Sequence, residues 1–296
     1  ATGGMIMSQI DPVHPSLRGV LKNLGTQEEL LSDCDIDEVR KNSEKRLARK
    51  PVFGSVQPEK ISINTLRGSL NLYVFSLAQT HAPPPCLLWF YGAGYVMGQA
   101  RDMWCRLLFY QSSNCVVILV EYGFAQENRA PAVLYDGYSA LNWVRDNAKR
   151  LNINPERIAV GGASTGGGLA AGLAMYRRDN CGPSICFQLL LYLMIDNRQD
   201  TPSGRLKDHP VWPLDHSLAC WDMYLGPNAS DQIIQYVSVL RAVDLQNLPQ
   251  AYICVNDVDL FHGECVDCHQ MLVAFGVESI FSIICWRFLR CRNQWL

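Results

Sequence analysis

Short apolar runs alternate with segments of helical periodicity along most of the chain. The runs predict strands at residues 60–64, 70–76, 86–90, 115–120, 158–160, 187–195, 251–255 and 280–285. Helical spacing predicts helices near residues 135–149, 165–178 and 264–275. Most of these strands lack polar alternation, which is typical of strands buried on both faces. The pattern therefore predicts an α/β protein with a mainly parallel sheet of about eight strands, flanked by helices.

Two regions fall outside this alternation. In residues 1–55, apolar residues recur at helical spacing between polar stretches. This predicts helices, one of them over residues 35–49. Residues 197–232 interrupt the alternation of strands and helices with prolines, tryptophans and a short helical segment. We interpret them as the two parts of a helical cap. The predicted organisation is N-terminal cap helices (1–55), a core (56–196 and 233–296) and a cap insertion (197–232).

Composition narrows the classes of partner. Hydrophobic residues make up 48% and charged residues 18% of the 296 residues, which supports a packed core. The formal net charge is −2, without the clustered positive field that nucleic acid requires. No apolar stretch approaches the roughly 20 residues of a membrane span, and the N-terminus does not resemble a signal peptide. We expect a cytoplasmic protein with reduced cysteines, no membrane span and no nucleic-acid partner.

A serine lies at the most informative turn of the chain. The predicted strand 158–160 runs into a Gly-x-Ser-x-Gly pattern formed by Gly162, Ser164 and Gly166, and an Ala/Leu-rich helix follows. Such a strand, turn and helix is the context of a nucleophile elbow, in which glycines are needed because the turn is crowded. The alternative is a glycine-rich turn that carries an unimportant serine.

A second loop of small residues, Tyr91-Gly-Ala-Gly-Tyr95, directly follows the predicted strand 86–90. Small residues at the end of a strand let backbone N–H groups approach a ligand oxyanion closely. Alone this would be an ordinary tight loop. Ahead of a nucleophile elbow, it indicates an oxyanion loop.

These segments resemble a known family. Tyr91-Gly-Ala-Gly-Tyr95, Tyr122-Gly-Phe-Ala-Gln-Glu127, Gly162-Ala-Ser-Thr-Gly-Gly167 and Asp259-Leu-Phe with Glu264 are similar to motifs of the hormone-sensitive-lipase-like branch of the α/β-hydrolases. That branch includes many carboxylesterases. The resemblance runs from about residue 11 to residue 284 and implies the α/β-hydrolase fold with a helical cap.

The resemblance also implies roles for individual residues. Ser164 matches the nucleophile and Asp259 the acid of a catalytic triad. The backbone N–H groups that match the oxyanion hole belong to Ala93, Gly94 and Thr165. Because these donors are main-chain groups, Ala93 and Thr165 are expected to keep them and to change only the space above the serine.

Aromatic residues near the loop and in the cap are the candidates for a substrate pocket, namely Tyr91, Tyr95 and Trp212. For each of them, packing between cap and core is at least an equal explanation. The ligand that we expect is a small-molecule ester or a related apolar molecule. The resemblance implies neither a cofactor nor a metal.

The triad histidine of the family has no counterpart in this sequence. Its place falls near Leu289, within a segment that matches nothing in the family, and no histidine follows His269. Three other histidines are candidates for a substitute base: His209 and His216 in the cap insertion, and His262 shortly after the candidate acid. A surface or cap histidine without a catalytic role is the favoured interpretation of each.

Three hypotheses about function follow. The first is a serine carboxylesterase that acts on short-chain acyl esters through an acyl-enzyme and is impaired by the missing base. The second is a non-hydrolytic relative that binds a small molecule or performs a cyclisation or elimination. The third is a truncated product that keeps the fold but little activity.

A Cys-x-x-Cys-His pattern, formed by Cys265, Cys268 and His269, is also typical of c-type haem attachment. It lies inside a predicted helix of a hydrolase-like chain. A zinc site would suit thiolate and imidazole, but no second spaced pair of ligands supports it. We therefore interpret the pattern as a chance occurrence.

The expected absence of a closing helix would leave a sheet edge near the C-terminus uncovered. Uncovered edges pair with other chains, so we predict self-association, with a homodimer as one form. Light scattering at increasing concentration should report a mass above 33.3 kDa. A clean monomer at high concentration would contradict this prediction.

Overall fold

The strands of the protein form one twisted sheet with a mainly parallel arrangement. The computed structural model describes residues 36–48, 57–76, 82–103, 114–207, 209, 211–227 and 229–284. Within them, eight strands pair in the order β1-β2-β4-β3-β5-β6-β7-β8. Pairings β1–β2 and β2–β4 are antiparallel, and all others are parallel. The predicted eight-stranded, mainly parallel sheet is confirmed.

The strands match the apolar runs closely. Their bounds are β1 Glu59–Thr65, β2 Gly68–Phe75, β3 Cys86–Phe90, β4 Val116–Glu121, β5 Ile158–Ala163, β6 Phe187–Leu191, β7 Ala251–Asn256 and β8 Ser279–Ile284. The side chains of β3 are all buried, as are those of β4 except the last. Burial on both faces explains why these runs contain no polar alternation.

One predicted strand is too long. The apolar run 187–195 predicts a single strand, but β6 ends at Leu191. Tyr192 has a φ of 36°, and the chain then turns under the elbow, where the N–H of Met194 donates to the carbonyl of Ser164. Residues 193–195 are fully buried against the core. Their hydrophobicity thus reflects burial in a loop rather than membership of the strand.

Helices cover both faces of the sheet. Their bounds are α1 Ile36–Ala48, α2 Ala132–Asp146, α3 Ala148–Leu151, α4 Thr165–Asp179, α5 Leu214–Leu225, α6 Asp231–Val237 and α7 His262–Ala274. The helix predicted over residues 135–149 is two helices, separated at Asn147. The other predicted boundaries agree with the structure to within a few residues. No helix of the described residues is long and apolar enough to cross a membrane.

Helix α1 contacts the core near the loop after β3. Helix α1 is attached through Arg40, whose Nε donates to the carbonyl of Val96 at 2.8 Å. The same guanidinium binds both carboxylate oxygens of Glu127, at 2.7 and 3.1 Å, and lies over the ring of Phe124. A bidentate contact of this kind fixes geometry as well as charge. The predicted domain boundaries remain a prediction.

The helix after β5 depends on small residues for its close approach to its neighbours. A Cβ added at Gly172 of α4 would lie 1.8 Å from the carbonyl oxygen of Tyr236 at the end of α6. Backbone atoms cannot move aside as side chains do, so α6 would have to shift. By contrast, the nearest atoms to a Cβ at Gly137 of α2 would all belong to side chains, namely ring atoms of Phe90 at 3.3 Å and Cδ2 of Leu173 at 3.6 Å.

This contrast gives a matched test of packing. Gly172→Ala should lower the free energy of unfolding by about 1–3 kcal/mol, the usual cost of overpacking. Gly137→Ala should change it by less than about 1 kcal/mol, because helix propensity favours Ala and the ring can adjust. Urea unfolding monitored by circular dichroism measures both. Equal values for the two variants would contradict the structure.

Candidate active site

The turn between β5 and α4 has the geometry of a nucleophile elbow. Ser164 occupies it with φ 54° and ψ −124°, a conformation that L residues rarely adopt. A Cβ at Gly162 would lie 2.2 Å from Gly166, and a Cβ at Gly166 would lie 2.2 Å from the carbonyl oxygen of Phe90. Glycine is therefore required at both positions. The half-buried Ser164 is held directly before the first turn of α4.

The loop after β3 packs against this elbow. A Cβ at Gly92 would lie 2.5 Å from the carbonyl oxygen of Ala163 and 2.8 Å from Cβ of Ser164. Ala93 has a φ of 153°, and Gly94 a φ of 69°. The structure thus brings the predicted oxyanion loop and the predicted nucleophile together. Whether their N–H groups bind an oxyanion stays a prediction.

The side chain of Thr165 makes a contact that the sequence did not predict. The side chain is fully buried, and its Oγ1 accepts a hydrogen bond from the N–H of Ala93 at 3.3 Å. We expected the substitution to change only the space above Ser164. Instead, the hydroxyl contacts one of the predicted oxyanion donors. The sequence pattern shows the residue type but carries no signal for this contact.

Two stacked tyrosines support the oxyanion loop. The rings of Tyr91 and Tyr122 lie 4.4 Å apart, and each hydroxyl donates to the backbone carbonyl of the other residue. Tyr95 is also buried, and it stacks on Tyr224 with ring centroids 3.9 Å apart. Tyr91 and Tyr95 are only 2% and 1% exposed. Both therefore pack inside the core, and their role in a substrate pocket stays a prediction.

The third pocket candidate, Trp212, lies over the same loop. A Cβ at Gly94 would meet the Trp212 ring at 2.9 Å and the Sγ of Cys220 on α5 at 2.5 Å. Trp212 is half-buried, and its Nε1 donates to Ser217 at 2.9 Å. The cap insertion therefore covers the oxyanion loop at this point.

The candidate acid lies on the loop after β7. Asp259 is half-buried, and its Oδ1 accepts from the N–H of Phe261 at 2.9 Å. Strands β5, β6 and β7 are parallel neighbours, so their carboxyl ends share one edge of the sheet. Ser164 and Asp259 thus follow strands β5 and β7 at that edge, with β6 between them. This is the edge at which open α/β sheets bind ligands.

Glu264, on α7, connects that helix to the loop after β6. The fully buried carboxylate accepts from the N–H groups of Ile195 at 2.7 Å and Asp196 at 2.9 Å, and from the side chain of Gln199. Burial raises the pKa of Glu264 to about 8, although these hydrogen bonds favour its charged form. The motif that contains Asp259 thus also carries a buried structural carboxyl group.

His209 connects the cap insertion to the acid's loop. Its Nε2 lies 3.1 Å from the carbonyl of Val258, and its Nδ1 accepts from the N–H groups of Val211 at 3.3 Å and Trp212 at 3.0 Å. A carbonyl only accepts, so Nε2 carries the proton in this arrangement. Both ring nitrogens are therefore engaged by the backbone. Burial lowers the pKa of His209, which favours the neutral ring.

The other two candidate bases occupy different surroundings. Nδ1 of His262, at the start of α7, lies 3.1 Å from the carbonyl of Asn256, so Nδ1 donates and Nε2 is left as an acceptor. His216 lies on α5 with 2% exposure, and its ring centroid is 5.6 Å from that of Trp212. The position near Leu289 lies outside the described residues.

The Cys-x-x-Cys-His pattern is explained by packing. Cys265 and Cys268 are buried on α7, and burial raises the pKa of both thiols. His269 is turned toward β8, where Nδ1 lies 2.9 Å from the hydroxyl of Ser279 and the ring stacks on Phe281. Within the described ranges, no three residues of the metal-binding types gather around a possible ion.

The class of α/β-hydrolases combines a serine on a strand-to-helix turn, a loop of backbone N–H groups beside it and a carboxylate two strands further along the sheet, and this chain has all three. Comparison with known proteins agrees. A family model described as the alpha/beta hydrolase fold matches residues 87–283, so the chain belongs to that family.

Several relatives and solved structures with this fold are esterases by name. Esterase LipI of Mycobacterium tuberculosis is 30% identical over 250 residues, which cover 83% of this chain and 78% of LipI. Carboxylesterase NlhH of the same organism is 31% identical over 203 residues, 67% of this chain and 63% of NlhH. The structure of a bacterial heroin esterase matches with a TM-score of 0.82 and 28% identity, covering 93% of this chain and 89% of that one.

The contacts of His209 give a test of how the cap is attached. His209→Ala removes three hydrogen bonds, so we expect the free energy of unfolding to fall by about 1–3 kcal/mol at pH 7.5. Folding lowers the pKa of His209 below its unfolded value of about 6.5. The stabilisation is therefore fully present above about pH 6.5 and is lost as the pH falls through the folded-state pKa. The difference in the free energy of unfolding between wild type and His209→Ala, measured with urea, should therefore be smaller at pH 5 than at pH 7.5.

A non-titrating variant provides the control. His209→Asn keeps an acceptor near the position of Nδ1 but cannot be protonated. Its stability relative to His209→Ala should therefore be the same at both pH values. A gap between wild type and His209→Ala that does not change with pH would contradict the assignment.

Proposed function

We propose that the protein is a carboxylic ester hydrolase that uses Ser164 as its nucleophile and acts on short-chain acyl esters. The elbow carries this proposal, because it forces a serine into a rare backbone conformation directly before a helix. Such strain is maintained at functional sites, where the rest of the structure determines it. The relationship to proteins named esterases supports the same reaction class.

In the proposed reaction, the Ser164 hydroxyl attacks the ester carbonyl carbon and gives an acyl-enzyme and an alcohol. Water then releases the acid and restores the serine. The N–H groups of Ala93, Gly94 and Thr165 are the proposed donors to the oxygen that gains negative charge. Donors already fixed by the backbone cost no reorganisation when that charge develops.

The weak point of this mechanism is the base. Removing the histidine of a serine triad costs on the order of 10⁶ in kcat, and about 10³–10⁴ over water remains. Of the three candidates, His209 has both nitrogens engaged with the backbone. His262 has the pattern of a base, with Nδ1 donating to Asn256 and Nε2 as an acceptor. We propose it as the first histidine to test, and activity well below that of a complete triad.

A non-hydrolytic ligand-binding protein is the second candidate. It is favoured by the engagement of both ring nitrogens of His209 with the backbone, since a pocket that only binds needs no base.

Hydrolysis of p-nitrophenyl acetate and butyrate tests the proposal. These esters suit a site with a weak base, because p-nitrophenolate leaves without being protonated. We expect slow turnover that Ser164→Ala lowers by about 100-fold, because the attacking atom is lost. A residual rate above the uncatalysed one should remain, because binding and the oxyanion donors are kept. Labelling with a fluorophosphonate, followed by mass spectrometry, should place the adduct on Ser164.

A second serine provides the matched control. Ser62 lies on β1, where its hydroxyl bonds to Asn71, remote from the elbow in the sheet. Ser62→Ala should keep both turnover and labelling. Equal rates for wild type and Ser164→Ala would exclude the esterase and direct attention to ligand binding. Loss of the remaining rate in His262→Ala would identify the base.

A further inference from the structure

One hydrogen bond inside the candidate oxyanion hole is not part of the proposed reaction. The N–H of Ala93, a proposed donor to the substrate, instead donates to Oγ1 of Thr165 at 3.3 Å. Thr165 is fully buried and Ala93 is half-buried, so the contact is largely shielded from water. In the resting protein, a side chain therefore stands where a carbonyl oxygen would have to accept.

Chemistry fixes the direction of this bond. A hydroxyl has one proton and two lone pairs, whereas a backbone N–H only donates. Thr165 therefore presents a lone pair to the N–H of Ala93, as a substrate carbonyl oxygen would.

We propose that the Thr165 hydroxyl competes with the substrate carbonyl oxygen for the N–H of Ala93 and thereby limits the rate of acyl transfer to Ser164. This inference rests on the proposed esterase function. The Thr165 side chain is then a positioning group that weakens the oxyanion hole. The backbone N–H of the same residue remains one of the proposed donors.

The competition affects the transition state more than substrate binding. When Ser164 Oγ bonds to the carbonyl carbon, the π electrons move to the carbonyl oxygen and the serine proton passes to the base. The oxygen then needs every donor, whereas the neutral ester needs them less. A competing acceptor should therefore lower kcat and leave KM nearly unchanged.

Two pairs of variants delete the hydroxyl at two different side-chain sizes. Wild type and Thr165→Val have nearly the same shape, and Thr165→Ser and Thr165→Ala differ only by the hydroxyl. In each pair, the member without the hydroxyl should have a kcat for p-nitrophenyl butyrate about 2–10-fold higher, the worth of one hydrogen bond. Hydrogen exchange at the Ala93 amide, followed by NMR, should accelerate in the same two variants.

The outcomes separate this inference from the function on which it rests. A rise only on going to the smaller residues would assign the effect to space and overturn the inference. Ser164-dependent turnover with no rise in either pair would also overturn it and leave the esterase standing. No Ser164-dependent turnover in any of the four proteins would reject both. If Thr165→Val does not fold, the pair Thr165→Ser and Thr165→Ala decides the question.

Discussion

The tight crossing between β5, α4 and the end of β3 determines where everything else in the site can lie. At Gly166, a single added carbon would meet the carbonyl oxygen of Phe90 at 2.2 Å, so the helix rests almost directly on the neighbouring strand. That closeness leaves Ser164 in a left-handed conformation at the rim of the sheet. It also leaves room for the loop after β3 only if residue 92 has no side chain. The site is thus a consequence of backbone packing before any side chain acts.

Much of this arrangement could be read from the sequence, because it depends on residue size and hydrophobic period. The glycines around Ser164 and the apolar runs of β3 and β4 identify the elbow and the central strands without reference to tertiary contacts. The run 187–195 shows the limit of this reasoning. Its last residues are apolar because they are buried beneath the elbow, and burial in a loop leaves the same pattern as burial in a strand.

The polar contacts could not be predicted in this way, since they depend on side-chain direction. Nothing in the sequence shows that the Thr165 hydroxyl points to Ala93, or that His209 binds the backbone on both sides of its ring. Glu264 belongs to the motif of the candidate acid, yet its carboxylate binds the loop after β6 instead of the site. The spacing of residues in the sequence therefore shows which residues lie near a site. Their hydrogen-bond partners, which only the structure shows, determine the role of each residue there.

The attachment of α1 has a mechanical consequence. One rigid guanidinium, that of Arg40, binds the carbonyl of Val96, just past the oxyanion loop, and the carboxylate of Glu127, on the segment after β4. Any displacement of α1 would have to release the backbone of Val96 in the same movement. The order of the oxyanion loop is consequently coupled to the attachment of a distant helix through one half-buried cation.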